Sequence, residues 1–188
     1  MTLITLFAIS WSITRKLGFA AYCGASFFCG SVWLGFRRQH RRRTGLSHLA
    51  FVLAAIELVL AVDMIFEWRL AFHTFCVKLF MKYNLYEGRR PFQAVLLVTL
   101  GCVLLLVPQF AIRRFHLRAG ALLAVGGVSM SIGLWVLEII SMHEVDQALY
   151  HLVNGVMVIA AFWMLACAIT VLGVWIEARL AVRNDLSR

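Results

Sequence analysis

The chain has 188 residues, 62% of them hydrophobic and 14% charged, with two prolines, a mean hydropathy of +0.86 and a formal net charge of +9. Soluble domains carry about a quarter charged residues and under half apolar ones, and a globule of this size leaves too much surface wet to hide such an excess. A soluble enzyme, a disordered chain and a fibre are excluded, and an integral membrane protein remains.

The first fourteen residues are apolar without an early Lys or Arg, and no A-x-A-like site follows, so no cleaved signal is expected. The first span covers residues 17–36, between Arg15-Lys16 and the cluster of Arg37, Arg38, Arg41, Arg42 and Arg43. Twenty residues at about 1.5 Å each match a hydrocarbon core of roughly 30 Å. The second span covers residues 46–70 and is interrupted by Glu57, Asp63, Glu67 and Arg69. Over residues 72–83 Phe72, Phe75, Cys76, Leu79, Phe80 and Tyr83 recur at helical spacing among Thr74, Lys78 and Lys82, which predicts an amphipathic helix.

Residues 84–91 (NLYEGRRP) form a turn, with Pro91 suited to the first position of the next helix. The third span covers residues 92–112, with Pro108 as a kink. The fourth, 119–141, is rich in small residues, and Gly120/Ala124, Gly127/Ser131 and Ser129/Gly133 each stand four apart on one face. The small-residue face of residues 120–133 allows close helix approach in lipid and is expected to dock a membrane-protein partner or a second copy of the chain. The fifth span covers residues 147–174 and ends in a polar tail.

The pattern predicts an all-α, polytopic helical bundle of about five spans in a single domain over residues 1–188. Eleven Lys and Arg residues fall on the side of the 37–43 cluster and seven on the other. That asymmetry places the C-terminus in the cytoplasm and the N-terminus outside, as in a bacterial inner membrane. The basic residues lie between apolar runs and lack the interleaved aromatics of a nucleic-acid surface. Membrane lipids, not nucleic acid, are the expected partners. The cysteines Cys23, Cys29, Cys76, Cys102 and Cys167 match no zinc spacing or disulfide framework.

The remaining polar residues sort by depth. Asp63, Glu67 and Glu138 fall in the outer parts of spans two and four, with His151 and Asn154 near the start of span five. Counted from Leu70, Asp63 lies about 10 Å down and Glu67 about 5 Å, four apart and so on one helix face. Glu57 lies deeper. Ionisable residues within spans are costly and face a bundle interior, so Asp63, Glu67, Glu138 and His151 are expected to form an outward-facing site, supported by Arg69, His73, His143 and Asn154.

Several chemistries suit these residues. Asp63, Glu67, Glu138, His143 and His151 offer the oxygen and imidazole ligands of zinc, iron or manganese. A metal would activate water for chemistry on a membrane or periplasmic substrate, with Asp63, Glu67, Glu138 and His151 as the catalytic set. A b-type haem held by histidine pairs is a further cofactor reading. Glu57, Asp63 and Glu67 descending one helix also suit proton or ion conduction. Tyr86, Arg89 and Arg90 in the turn are placed to grip an anionic headgroup. A purely structural reading pairs Arg69 with Glu67 or Glu138 and makes the chain a non-catalytic subunit or scaffold. No G-x-S-x-G, phosphate-binding loop, C-x-x-C or G-x-G-x-x-G is present.

Overall fold

The computed structural model describes residues 12–38, 44–85, 88–115 and 118–186. Among the described residues seven helices and one small hairpin follow in order: α1 (Ile13–Arg38), α2 (Thr44–Phe66), α3 (Trp68–Lys82), α4 (Arg89–Phe115), α5 (Ala119–Ile140), α6 (His143–Leu149), β1 (Leu152–Val153), β2 (Val156–Met157) and α7 (Val158–Leu186). The segments Ile13–Arg37, Gly45–Phe66, Ala119–Ile140 and Val158–Arg183 are each long and apolar enough to cross a membrane. These four helices, α1, α2, α5 and α7, close a ring in which each packs on two neighbours, with α3 and α4 leaning on α5. The chain is an all-helical membrane bundle with one two-stranded insert.

The side chains are sorted as a lipid solvent demands. Large apolar groups face outward, among them Phe27, Val59, Phe75 and Val98, while the interior holds Ala25, Ala50, Ala61, Ala124, Ala160 and Ala166. In oil there is no hydrophobic gain from burying a Phe, so helices associate through close contact of small residues. The α5/α7 seam is the extreme case. A methyl group at Gly127 would fall 2.5 Å from the Thr170 amide and 2.8 Å from the Ala166 carbonyl, and one at Gly120 would meet the Gly173 carbonyl at 2.8 Å. A methyl group at Gly173 would overlap the Ala124 backbone. Gly133 meets Leu104 of α4 in the same way. The small-residue face expected to dock another chain is thus engaged at these positions by α7 and α4 of this one.

Three boundaries differ from the sequence reading. The second apolar run stops at Phe66 because Glu67 adopts φ 54°, a left-handed conformation that turns the chain out of α2 and into α3. The amphipathic helix accordingly begins at Trp68 rather than residue 72. The fifth apolar run does not begin as a span near residue 147. It holds α6, then an antiparallel hairpin pairing Leu152 with Met157 and Val153 with Val156, and becomes α7 only at Val158. Asn154 and Gly155, both at positive φ, make the two-residue turn, and Asn-Gly is the dipeptide such turns favour. Pro91 lies one turn into α4, where its missing N–H still leaves no hydrogen bond unmade.

Candidate functional site

The break at Glu67 builds the site. Because α2 ends there, Arg69 at the start of α3 reaches the last turn of α2 and binds Asp63 twice, through its amide to Oδ1 at 3.0 Å and through Nη1 to Oδ2 at 2.5 Å. Arg69 is the second residue of α3, so its amide is one of the four a helix start leaves unbonded. Glu67 makes no side-chain cap, and the Asp63 carboxylate performs that role from the preceding helix, where its negative charge also suits the helix N-terminus.

The same guanidinium reaches across the bundle. Arg69 Nε donates to Glu138 Oε2 on α5 at 2.7 Å, Nη2 lies 3.6 Å from the Met64 sulfur, and the group sits 5.7 Å from the centre of the Trp163 ring on α7. Trp163 reaches this position because α1 carries Gly18 there, where a methyl group would stand 2.5 Å from the ring. Tyr150 donates to Glu138 Oε2 at 3.4 Å. Asp63, Arg69 and Glu138 are all buried. Burial works against the Arg69 charge, but Glu138 and Asp63 outweigh it, and the guanidinium pKa is raised. Burial first, and the charges of Glu138 and Asp146 after it, push the Tyr150 hydroxyl up.

Around this centre lies an open cleft of about 450 Å³ lined by Arg15, Glu67, Arg69, His73, Glu138 and Tyr150 among polar groups, with Leu70, Ile159 and Trp163 as apolar wall. Glu67 pairs with Arg15 of α1 at its rim. His73 Nδ1 meets the Ile139 carbonyl at 2.9 Å, and Gln93 Nε2 donates to the carbonyls of Ile140 and Ser141 at 2.9 and 3.0 Å. These are the carbonyls that the end of α5 leaves open, so α3 and α4 are tied to the helix that presents Glu138.

Asp63, Glu138, Arg69, Glu67 and His73 therefore meet at one end of the bundle, although not as the sequence suggested. Asp63 and Glu67 do not share a helix face, because Glu67 lies outside α2, and each is bound to a different arginine. His151 is exposed before the hairpin, Asn154 is exposed in its turn, and His143 is exposed at the start of α6. Among the described residues, none of the three hydrogen-bonds or pairs with the carboxylates. Among the described residues no three His, Cys, Asp or Glu side chains are grouped to hold a metal ion. Arg89 lines a separate cavity of about 160 Å³ with Phe72, His73, Phe80 and Gln93. Arg90 is exposed one residue on, and Tyr86, the third member of the expected anion grip, lies outside the described residues.

Three participants were not singled out from sequence. Arg15 reads as a flanking charge, and no motif or spacing marks Tyr150 and Trp163; their roles depend on the turn at Glu67 and on Gly18. No protein-family model matches the chain, and neither the curated proteins nor the solved structures yield a match.

Proposed function

We propose that the chain is a five-span protein of a bacterial inner membrane, N-terminus outside, whose outward cleft binds a hydrogen-bond-donating polar group of a membrane-borne or periplasmic ligand. Helix α4, 27 residues long, supplies the fifth span, since at about 1.5 Å per residue it exceeds a hydrocarbon core of roughly 30 Å. The excess of arginine at the opposite end supports the orientation.

The observation that carries the reading is that two carboxylates, of which Glu138 lines the cleft, share one guanidinium. Glu138 Oε1 is buried without a hydrogen-bond partner, so the site is short of a donor, and an ammonium or hydroxyl would supply it. Leu70, Ile159 and Trp163 suit the alkyl part of such a ligand. Metal-assisted chemistry calls on the same carboxylates, which Arg69 already binds, and the exposed histidines add nothing to them. Conduction is poorly served by the tight glycine seam of α5 and α7. A binding role, as a receptor-like or non-catalytic subunit, fits a cleft with one unsatisfied carboxylate oxygen best.

The test compares short-chain phosphatidylethanolamine, whose ammonium donates hydrogen bonds, with phosphatidylcholine, whose ammonium does not. Thermal unfolding of the purified protein is expected to rise by a few degrees with the first only, and Glu138→Gln to lose at least half of that rise. Equal responses to both lipids, or stoichiometric metal bound at the cleft by elemental analysis, overturn the reading.

A further inference from the structure

Below the Arg69 cluster, in the interior of the ring, stands Glu57 of α2, fully buried. Its Oε2 accepts from the Cys167 thiol at 3.7 Å, while its Oε1 has no hydrogen-bond partner. Ser131 of α5 and Thr170 of α7 border the carboxyl. Thr170 spends its hydroxyl on the Ala166 carbonyl at 3.1 Å, and the Ser131 hydroxyl, also fully buried, has no partner. The titratable groups that face Glu57 from the neighbouring helices are Tyr22 and Cys29 of α1 and Cys167 of α7. None is a cation. Glu57 is thus unlike Asp63 and Glu138, which lie in the same bundle but on a guanidinium.

We propose that Glu57 is an interior proton-binding site that exchanges protons with the Arg69 cleft and not with the opposite face. An unpaired carboxylate in oil is costly unless it is neutralised. A proton supplies that neutralisation. The route runs on the cleft side. Tyr22, buried between the two levels, is within electrostatic reach of Glu57 and also of Glu138 and Arg69. Toward the other end the interior is filled by the apolar cluster of Leu53, Ala124, Val128 and Val174 around Cys29. The inference uses the cleft as an entrance and is independent of what the cleft binds; it rests on the proposed orientation only for the name of the side.

The experiment is labelling of the full-length protein in oriented proteoliposomes with dicyclohexylcarbodiimide, which dissolves in oil and modifies protonated carboxyls. Labelled residues are mapped by mass spectrometry while the pH of each face is varied separately. Glu57 is expected to be labelled and Asp63 and Glu138 not. Labelling is expected to fall by about tenfold per pH unit once the site deprotonates, in response to pH at the Arg69 face alone, and Tyr22→Phe is expected to slow that response. Glu57→Gln removes the label. Should that variant fail to fold, the infrared carbonyl band of a protonated acid in the wild-type protein, lost on alkaline titration from the Arg69 face, gives the same reading. Glu57 unlabelled at every pH, or labelling that follows pH at the opposite face, overturns the proposal; failure of lipid binding at Glu138 leaves it standing.

Discussion

Arg69 binds Asp63 with both its backbone amide and its guanidinium, at 3.0 and 2.5 Å, although α2 has ended between them. One contact caps a helix and the other neutralises an acid, so a single pair joins the start of α3 to the end of α2. The remaining contact, to Glu138 at 2.7 Å, fixes both to α5.

Replacing Arg69 by Met is therefore expected to destabilise the protein by about 3–5 kcal/mol, the usual result of removing one partner from a buried charge cluster. Asp63→Asn keeps a cap acceptor and a second cation–acid contact, and is expected to cost less than half as much. Adding Asp63→Asn and Glu138→Gln to Arg69→Met should recover part of the loss. Unfolding in detergent followed by circular dichroism checks the series; an additive triple variant would show that the three do not act as a unit.

Glycine substitutions separate packing from helix propensity. Gly173→Ala places a methyl group on the Ala124 backbone and must push α5 from α7, with an expected cost of about 1–3 kcal/mol. Gly126→Ala, on the same helix as the seam but with nothing within 4 Å of the new methyl group, is expected to be neutral or stabilising by up to about 1 kcal/mol. Equal effects of the two on the unfolding temperature would contradict the seam.

The hairpin depends on its turn. Gly155 has φ +80°, and Gly155→Val is expected to cost about 1–2 kcal/mol in that conformation, whereas Asn154→Gly, at φ 52°, should cost only a few tenths. The hairpin delivers the Met157 amide to the Thr14 hydroxyl at 3.1 Å, so hydrogen exchange at Met157 is expected to quicken in the valine variant and not in the glycine one.

Tyr150 predicts an alkaline limit. Its pKa is raised by burial and by the charges of Glu138 and Asp146, so the unfolded chain loses this proton before the folded one. Its contribution is complete below a pH of about 10, the unfolded value, and is lost as pH rises beyond it. Stability of the wild-type protein between pH 9 and 12 should fall more steeply than that of Tyr150→Phe; parallel curves would place the hydroxyl in water.

Much of this was legible in the sequence, and the failures have definite causes. Hydropathy located the spans because lipid enforces it, and depth along the helices singled out Asp63, Glu67 and Glu138. Glutamate carries no signal for a left-handed turn, so α2 was extended to residue 70 and the two acids were set on one face. The Asn154-Gly155 turn did have a signal, but the apolar residues around it, Leu152, Val153, Val156 and Met157, merged it into a span. The sequence pairs Arg69 with Glu67 or Glu138, and Glu138 is the one it meets; its reach to Asp63 requires the break at Glu67. Hydropathy sees apolar runs; it does not see where a helix breaks.

The six-residue separation of Asp63 and Arg69 has a consequence for biogenesis. The acid emerges from the ribosome with its counter-ion close behind, so the α1–α2 hairpin enters the bilayer already compensated at its most polar level. Glu138 follows 69 residues after Arg69 and completes the cluster only when the later helices arrive. A nascent chain halted before α5 should therefore integrate stably, while a separately expressed α5–α7 fragment, its acid orphaned, should be the half that quality-control proteases remove.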